Sequence, residues 1–221
     1  MNKTDRNLLR ALERRATEDT AEFVEANMKG LKVIAGENER LKMIDYLFAN
    51  YPPDPGGLIL EFGVAKGQSL RRICAAAGPK RKVYGFDSFD GLPSDWTWGK
   101  EEGRFDMNGK APDGLPSNAM LKIGLIEDTL PEFLRLEPSY SSAGFIHVDT
   151  DIYASASFIL EYLADKIVPG TVILFDEFFN YAGWRDHEYR AFREFVGRHK
   201  RKFEYLAFTS THGSVAVRIT K

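Results

Sequence analysis

Residues Leu58-Ile59-Leu60-Glu61-Phe62 form a short apolar run that breaks at once into Gly63-Val64-Ala65-Lys66-Gly67-Gln68-Ser69. A second apolar run, Val83-Tyr84-Gly85-Phe86-Asp87, ends in an acid 24 residues after Gly63. Glycines let a backbone approach a ligand at a helix N-terminus, and an acid closing the second strand can accept hydrogen bonds from a ribose diol. The pair of runs therefore has the layout of a nucleoside-binding βαβ unit, which constrains the chain around it to a parallel sheet.

The glycine spacing narrows the nucleoside. A dinucleotide fingerprint requires G-x-G-x-x-G. Here Glu61 stands at the first glycine position, and the next glycine after Gly63 is Gly67. An acid leading G-x-x-x-G suits a ligand with an ammonium group and no pyrophosphate, which points to S-adenosylmethionine.

Strands and helices alternate through the rest of the chain. Leu58–Phe62, Val83–Asp87, Leu121–Gly124, Phe145–Asp149 and Val172–Asp176 are the expected strands, short and apolar as in a sheet buried on both faces. Helical patterns cover Ser69–Ala77, Leu130–Leu136, Ser155–Ile167 and Glu188–His199. This alternation predicts an α/β fold, a Rossmann-like parallel sheet with helices on both faces. Phe203–Phe208 and Ser214–Ile219 are joined by five residues, a link that permits only an antiparallel hairpin. Residues 1–50 read as a helical N-terminal extension, ended by Tyr51-Pro52-Pro53-Asp54-Pro55-Gly56-Gly57. Residues 57–221 form the α/β core, and the whole of 1–221 is expected to be one domain. The long irregular segment 90–118 carries Trp96, Trp98 and Phe105 and has the length of a lid or acceptor loop.

A chain of 221 residues, 43% apolar and 13% aromatic, can bury one full core. Thirty basic and 32 acidic residues leave a formal charge of −2, so no nucleic-acid partner is expected. The single cysteine, Cys74, excludes an internal disulfide and lies in an apolar helical run. No apolar run approaches the roughly 20 residues needed to span a bilayer. The charged N-terminus lacks the apolar core of a signal peptide, and a cytoplasmic location with no membrane partner is the expectation.

Ligands of open α/β sheets sit beyond the carboxyl ends of the strands. Four expected strands end in acids there: Glu61, Asp87, Asp149 and Asp176. A single such acid is usually a turn or cap residue, but four on one edge are hard to explain as packing. His147-Val148-Asp149-Thr150-Asp151 and Phe175-Asp176-Glu177 place Asp149, Asp176 and Glu177 as hard oxygen ligands suited to Mg²⁺. The alternative is that one carboxylate binds the amino group of the cofactor while the others cap helices.

With these motifs the chain resembles class I S-adenosylmethionine-dependent methyltransferases, and among them the macrocin O-methyltransferase-like family. The resemblance runs from about Glu39 to Glu194. It rests on Leu60–Val64 with Gly67-Gln68-Ser69, on Gly85-Phe86-Asp87-Ser88-Phe89-Asp90-Gly91-Leu92-Pro93, and on Gly124 followed by Asp128-Thr129-Leu130-Pro131. It continues through Val148–Tyr153 and Pro169-Gly170 to Phe175-Asp176-Glu177. The resemblance implies a seven-stranded sheet, S-adenosylmethionine as methyl donor, and a small-molecule acceptor hydroxyl on a sugar or another natural product. It also implies Mg²⁺ in some relatives, held by acids ending the fourth and fifth strands. Those relatives carry Asp-Asp or Asp-Asn where this chain has Asp176-Glu177.

The roles implied are these. Glu61, Gly63 and Gly67 surround the methionine part of the cofactor, with Ser69 near its carboxylate. Asp87 holds the ribose, with Ser88 beside it, and Asp128 or Glu127 reads the adenine edge. Asp149 and Asp151 complete the cofactor site, and Asp149 and His187 are the candidate catalytic residues. His147, inside an apolar strand, reads as a core histidine. Trp96, Trp98, Phe105 and Trp184 are candidates for an aromatic acceptor wall. Two rival readings remain open: a metal-dependent glycosyltransferase built on Asp149-Thr150-Asp151, and a non-catalytic binding protein on the same fold. The N-terminal helices are candidates to cap the site or to form a homodimer contact.

Overall fold

The computed structural model describes residues 3–97, 101–137 and 140–221. In chain order the elements are α1 (Lys3–Asn27), β1 (Lys32–Ile34), α2 (Glu39–Asn50), β2 (Leu58–Phe62), α3 (Gln68–Ala77), β3 (Val83–Asp87), β4 (Ala119–Ile123) and α4 (Ile126–Leu136). They continue as β5 (Ala143–Val148), α5 (Tyr153–Tyr162), β6 (Val172–Phe175), a 3-10 turn at Trp184–Asp186, α6 (Glu188–Arg198), β7 (Phe203–Thr209) and β8 (Val215–Ile219).

The strands form one sheet in the order β1-β7-β8-β6-β5-β2-β3-β4. The five strands β2 to β6 run parallel, and β8 enters antiparallel between β6 and β7. The seven expected strands are therefore present, with the Rossmann-like alternation and the C-terminal hairpin. An eighth, β1, adds to the outer edge by pairing parallel with β7. Its three residues are too few to show a period, and Val33 within it is exposed, so no apolar pattern announces it.

Strand alternation sends Leu58, Leu60 and Phe62 to one face and Ile59 to the other. The first face packs on α4, α5, α6 and, through Ala16 and Phe23, on α1, with Met28 just past its end. The second packs on α3 and on Met43, Ile44 and Leu47 of α2, so the latter half of the N-terminal extension is a layer of the core. α1 instead covers the chain after β6, where Phe23 meets Phe178, Phe179 and Trp184.

Chain order reverses between β2 and β5, which are adjacent and parallel, and such a switch point is where an open sheet parts to admit a ligand. Register sets the strand ends level there: Phe62 pairs with Val148, and Val148 with Phe175. The Asp149 amide donates to the Phe62 carbonyl at 2.8 Å and the Asp176 amide to the Val148 carbonyl at 2.9 Å. Gly63, Asp149 and Asp176 thus stand side by side one residue past the sheet. Gly63 has φ +88°, and a β-carbon there would lie 1.8 Å from the Asp149 carbonyl oxygen. Glycine at this position is what lets the two strand ends close up.

Candidate active site

A cavity of about 660 Å³ opens at the switch point. Its floor is the turn from Gly63 to Ser69 with the first residues of α3, and its sides are Asp87–Phe89, Gly124–Glu127 and Asp149–Asp151. The described parts of the segment 90–118 are tied together beside it: the Leu92 amide donates to the Arg104 carbonyl, and the Met107 and Gly109 amides to that of Phe89. Leu92, Pro93, Phe105 and Met107 of this segment line the space.

Asp87 holds the glycine turn in shape. One of its oxygens accepts the amides of Val64 and Ala65, each at 2.7 Å, and the other accepts that of Phe89 at 2.7 Å. A carboxylate has about four acceptor positions. Three are filled, and Asp87 still lines the cavity. Ser69 and Ser88 line it as well. Of the two acids at the start of α4, Glu127 lines it and Asp128 does not.

The four acids past β5 and β6 behave differently from one another. Arg40, on the first turn of α2, places Nη2 at 2.6 Å from Asp149 Oδ2 and 2.6 Å from Asp176 Oδ2. Its Nε donates to Asp176 Oδ1 at 2.8 Å. Burial and the neighbouring Asp176 push Asp149 above the ordinary carboxylate range, with Arg40 opposing. Burial also works against the Asp176 carboxylate, but His147 and Arg40 outweigh it and hold it down to about 2. Glu177 is pushed up to about 10 by burial and by Asp176 and Asp149, so it carries its proton at neutral pH. Asp151 is buried, lines the cavity and has φ +64°, a left-handed conformation rare for a residue other than glycine.

Glu61 lines neither this cavity nor the second, smaller one beside it. It is fully buried, opposite His147 in the β2–β5 register, and its Oε1 meets His147 Nδ1 at 2.9 Å. The other ring nitrogen of His147 is 3.7 Å from Asp176 Oδ1. Burial favours the neutral ring, but Asp176 and Glu61 outweigh it and carry His147 up to about 10. The charged form of the core histidine is thereby stabilised between the acid of β2, to which it is hydrogen-bonded, and the acid of β6. Nothing in the sequence around His147 signals the charge. It follows from the strand register that sets Glu61 against it.

His187 lies outside the cavity lining, its ring 6.1 Å from that of Tyr181, and burial lowers its pKa. Trp184 is buried against Phe23 and Tyr189, and Trp96 against Tyr181. Phe105 alone of the expected aromatic wall lines the cavity, and Trp98 lies outside the described residues. Three residues escape sequence reasoning. Arg40 reaches acids 109 and 136 positions away, with no local pattern to mark it. His212 faces Asp176 at 4.0 Å and Glu177 at 3.9 Å from the β7–β8 turn. Glu188, fully buried at the start of α6, accepts the Glu177 amide at 3.1 Å.

A divalent ion does not fit this arrangement. Among the described residues, two groups bring ligand atoms within 4.8 Å of one another: His147–Asp149–Asp176 and Asp176–Glu177–His212. Both need Asp176, whose Oδ1 accepts from Arg40 Nε and whose Oδ2 stands in ion-pair contact with Arg40 Nη2.

The profile of a family described as a methyltransferase domain matches residues 60–178. No curated protein sequence matches the chain. Among solved structures, CalS11, described as a calicheamicin methyltransferase, superposes with a TM-score of 0.66 at 20% identity, over 99% of this chain and 93% of its own. The O-methyltransferase NovP gives 0.59 at 20% identity, over 82% of this chain and 80% of its own. TomG from Streptomyces achromogenes, an O-methyltransferase of tomaymycin synthesis solved with S-adenosylmethionine, gives 0.53 at 18% identity, over 95% and 90%. At these identities the likeness is one of fold.

Proposed function

The chain belongs to the methyltransferase-domain family, and from that premise we propose that it is an S-adenosylmethionine-dependent O-methyltransferase acting on a small-molecule hydroxyl, on a sugar or another natural product. The observation that carries this reading is the Gly63–Ser69 turn, pinned by Asp87 to the rim of one cavity that also receives Asp149 and Asp151. The activities described for CalS11, NovP and TomG agree with it.

When bound, S-adenosylmethionine supplies a methyl group already activated by its sulfonium, so the protein has to align the reactants and accept a proton. Gly63 and Ser69 hold the methionine part, with Asp149 toward its ammonium group, and Gly67, outside the cavity lining, starts α3 in a left-handed conformation. The open acceptor position of Asp87, with Ser88, takes the ribose, and Glu127 takes the adenine edge ahead of Asp128. Among the acids on the acceptor side, Asp149 and Asp176 are engaged by Arg40, and Glu177 holds its proton. Asp151, buried and lining the same cavity, is assigned the proton of the acceptor hydroxyl. His187 lies outside the cavity lining and is assigned no proton transfer. No step is assigned to Mg²⁺.

The test is methyl transfer from radiolabelled S-adenosylmethionine to a panel of nucleotide sugars, glycosides and phenols. Wild type is expected to label at least one hydroxyl acceptor. Asp151→Asn is expected to lose about 10²–10⁴-fold in kcat, the usual contribution of a positioned base, while binding the cofactor normally. An unchanged kcat in Asp151→Asn would remove that residue from the mechanism. Labelling of amines alone would overturn the hydroxyl assignment.

A further inference from the structure

We propose that Arg40 is the resident cation of the strand-end acid pair, and that the site binds its ligands without a divalent metal ion. Arg40 Nη2 lies 2.6 Å from one oxygen of Asp149 and 2.6 Å from one of Asp176. A metal bridging two carboxylates occupies that same shared position, with Mg²⁺ about 2.0–2.1 Å from each oxygen. The guanidinium also takes the second oxygen of Asp176 through Nε, at 2.8 Å. The planar fork therefore donates to one oxygen of each acid, Nε to Asp176 and Nη2 to Asp149, and joins the pair through charge-assisted hydrogen bonds. Asp176 is only 2% exposed, so little water competes for it.

The anchor of Arg40 is as specific as its contact. Glu39, the preceding residue, is buried and locked to the turn between β7 and β8. Its Oε1 accepts the Thr211 amide at 3.0 Å, the Thr211 hydroxyl at 2.7 Å and the His212 amide. Its Oε2 accepts the Ser210 hydroxyl at 2.9 Å. The first turn of α2 is thereby held against the sheet end, and the guanidinium is delivered from a fixed backbone. The titratable groups facing it are Asp149 and Asp176 at contact, His147 beneath them, and Glu177 and His212 from the neighbouring turns. A dication placed among them would meet two cations within the same cluster and would have to evict one.

The test reads ion binding, so it fails or succeeds independently of methyl transfer. MnCl₂ is titrated into the full chain by electron paramagnetic resonance, with wild type, Arg40→Ala, and Arg40→Ala combined with Asp176→Asn. Wild type is expected to leave Mn²⁺ free into the millimolar range. Arg40→Ala is expected to gain one site at least about 100-fold tighter, since a unit charge about 4 Å away is worth about a thousandfold at an effective dielectric of 20. The double variant is expected to lose that site. In parallel, calorimetry of S-adenosylhomocysteine with wild type is expected to give the same affinity in EDTA and in Mg²⁺, which keeps the proposal testable if Arg40→Ala does not fold. One tight Mn²⁺ site in wild type, a tenfold gain in S-adenosylhomocysteine affinity with Mg²⁺, or a folded Arg40→Ala with no new site would each overturn it.

Discussion

Replacing Gly63 with alanine isolates the close approach of β2 and β5 on which the cavity depends. The cost has two parts. A β-carbon at positive φ costs about 1–2 kcal/mol in backbone strain. At Gly63 it would also stand 1.8 Å from the Asp149 carbonyl oxygen, where ordinary contact begins near 3.4 Å. One strand end must therefore yield by about 1.6 Å, which strains the Asp149–Phe62 and Gly63–Phe86 backbone hydrogen bonds. Two such bonds at about 1 kcal/mol each, with about 1–2 kcal/mol of repacking, bring the total to about 4–6 kcal/mol. Gly183 provides the control, because it has φ +87° and no atom within 4 Å of its would-be β-carbon. Gly183→Ala should cost the backbone part alone. Thermal denaturation should place Gly63→Ala about 10 °C below Gly183→Ala, at about 2–4 °C per kcal/mol for a chain of this size. Calorimetry should show S-adenosylhomocysteine binding abolished in the first and kept in the second. Equal destabilisation of the two variants, or intact binding in Gly63→Ala, would refute the close-approach reasoning.

The His147–Glu61 pair predicts a pH dependence. The ring is held at about 10 in the fold against 6.5 for the ordinary group, so its stabilisation is full below pH 6.5 and disappears as pH rises through 10. Chemical denaturation between pH 6.5 and 10 should show wild type losing more stability than Glu61→Gln, whose histidine keeps Asp176 and Asp149 but lacks Glu61, by a part of the about 5 kcal/mol that the whole shift is worth; parallel curves would contradict the Glu61 contribution. Glu39→Ala removes the acceptor of four hydrogen bonds to Ser210–His212. It should cost about 2–3 kcal/mol in urea denaturation, and a loss under about 0.5 kcal/mol would show that the turn does not depend on the carboxylate.

Much of the architecture was legible because the sheet is buried on both faces. Leu58–Phe62, Val83–Asp87 and Val172–Phe175 are apolar almost throughout and end where polar residues begin, so a strand and its functional end share one signal. The boundaries that moved lie where that contrast weakens. α4 starts at Ile126, four residues before the expected Leu130, because Glu127 and Asp128 occupy its solvated first turn. β1 gave no signal because three residues paired only to β7 need no apolar face. In the site, position along the chain was enough to place Asp87, Asp149 and Asp176 on one edge. It was not enough to state their partners. Arg40 meets Asp149 and Asp176 only because α2 packs across the sheet end, and Glu61 turns toward His147 because the β2–β5 register sets them opposite. A metal at Asp149, Asp176 and Glu177 presumes that acids converging at a strand edge want a metal ion, and a guanidinium from a distant helix answers the same electrostatic need.

Cofactor binding is the central claim, and calorimetric titration of S-adenosylhomocysteine into wild type, Asp87→Ala and Asp151→Asn tests it most directly. Micromolar binding to wild type and to Asp151→Asn, weakened about 10-fold or more in Asp87→Ala, is the predicted result. The weakening corresponds to removing one charge-assisted hydrogen bond, worth about 1.5–3 kcal/mol. No binding to wild type, or binding indifferent to Asp87, would contradict the assignment of this cavity to S-adenosylmethionine.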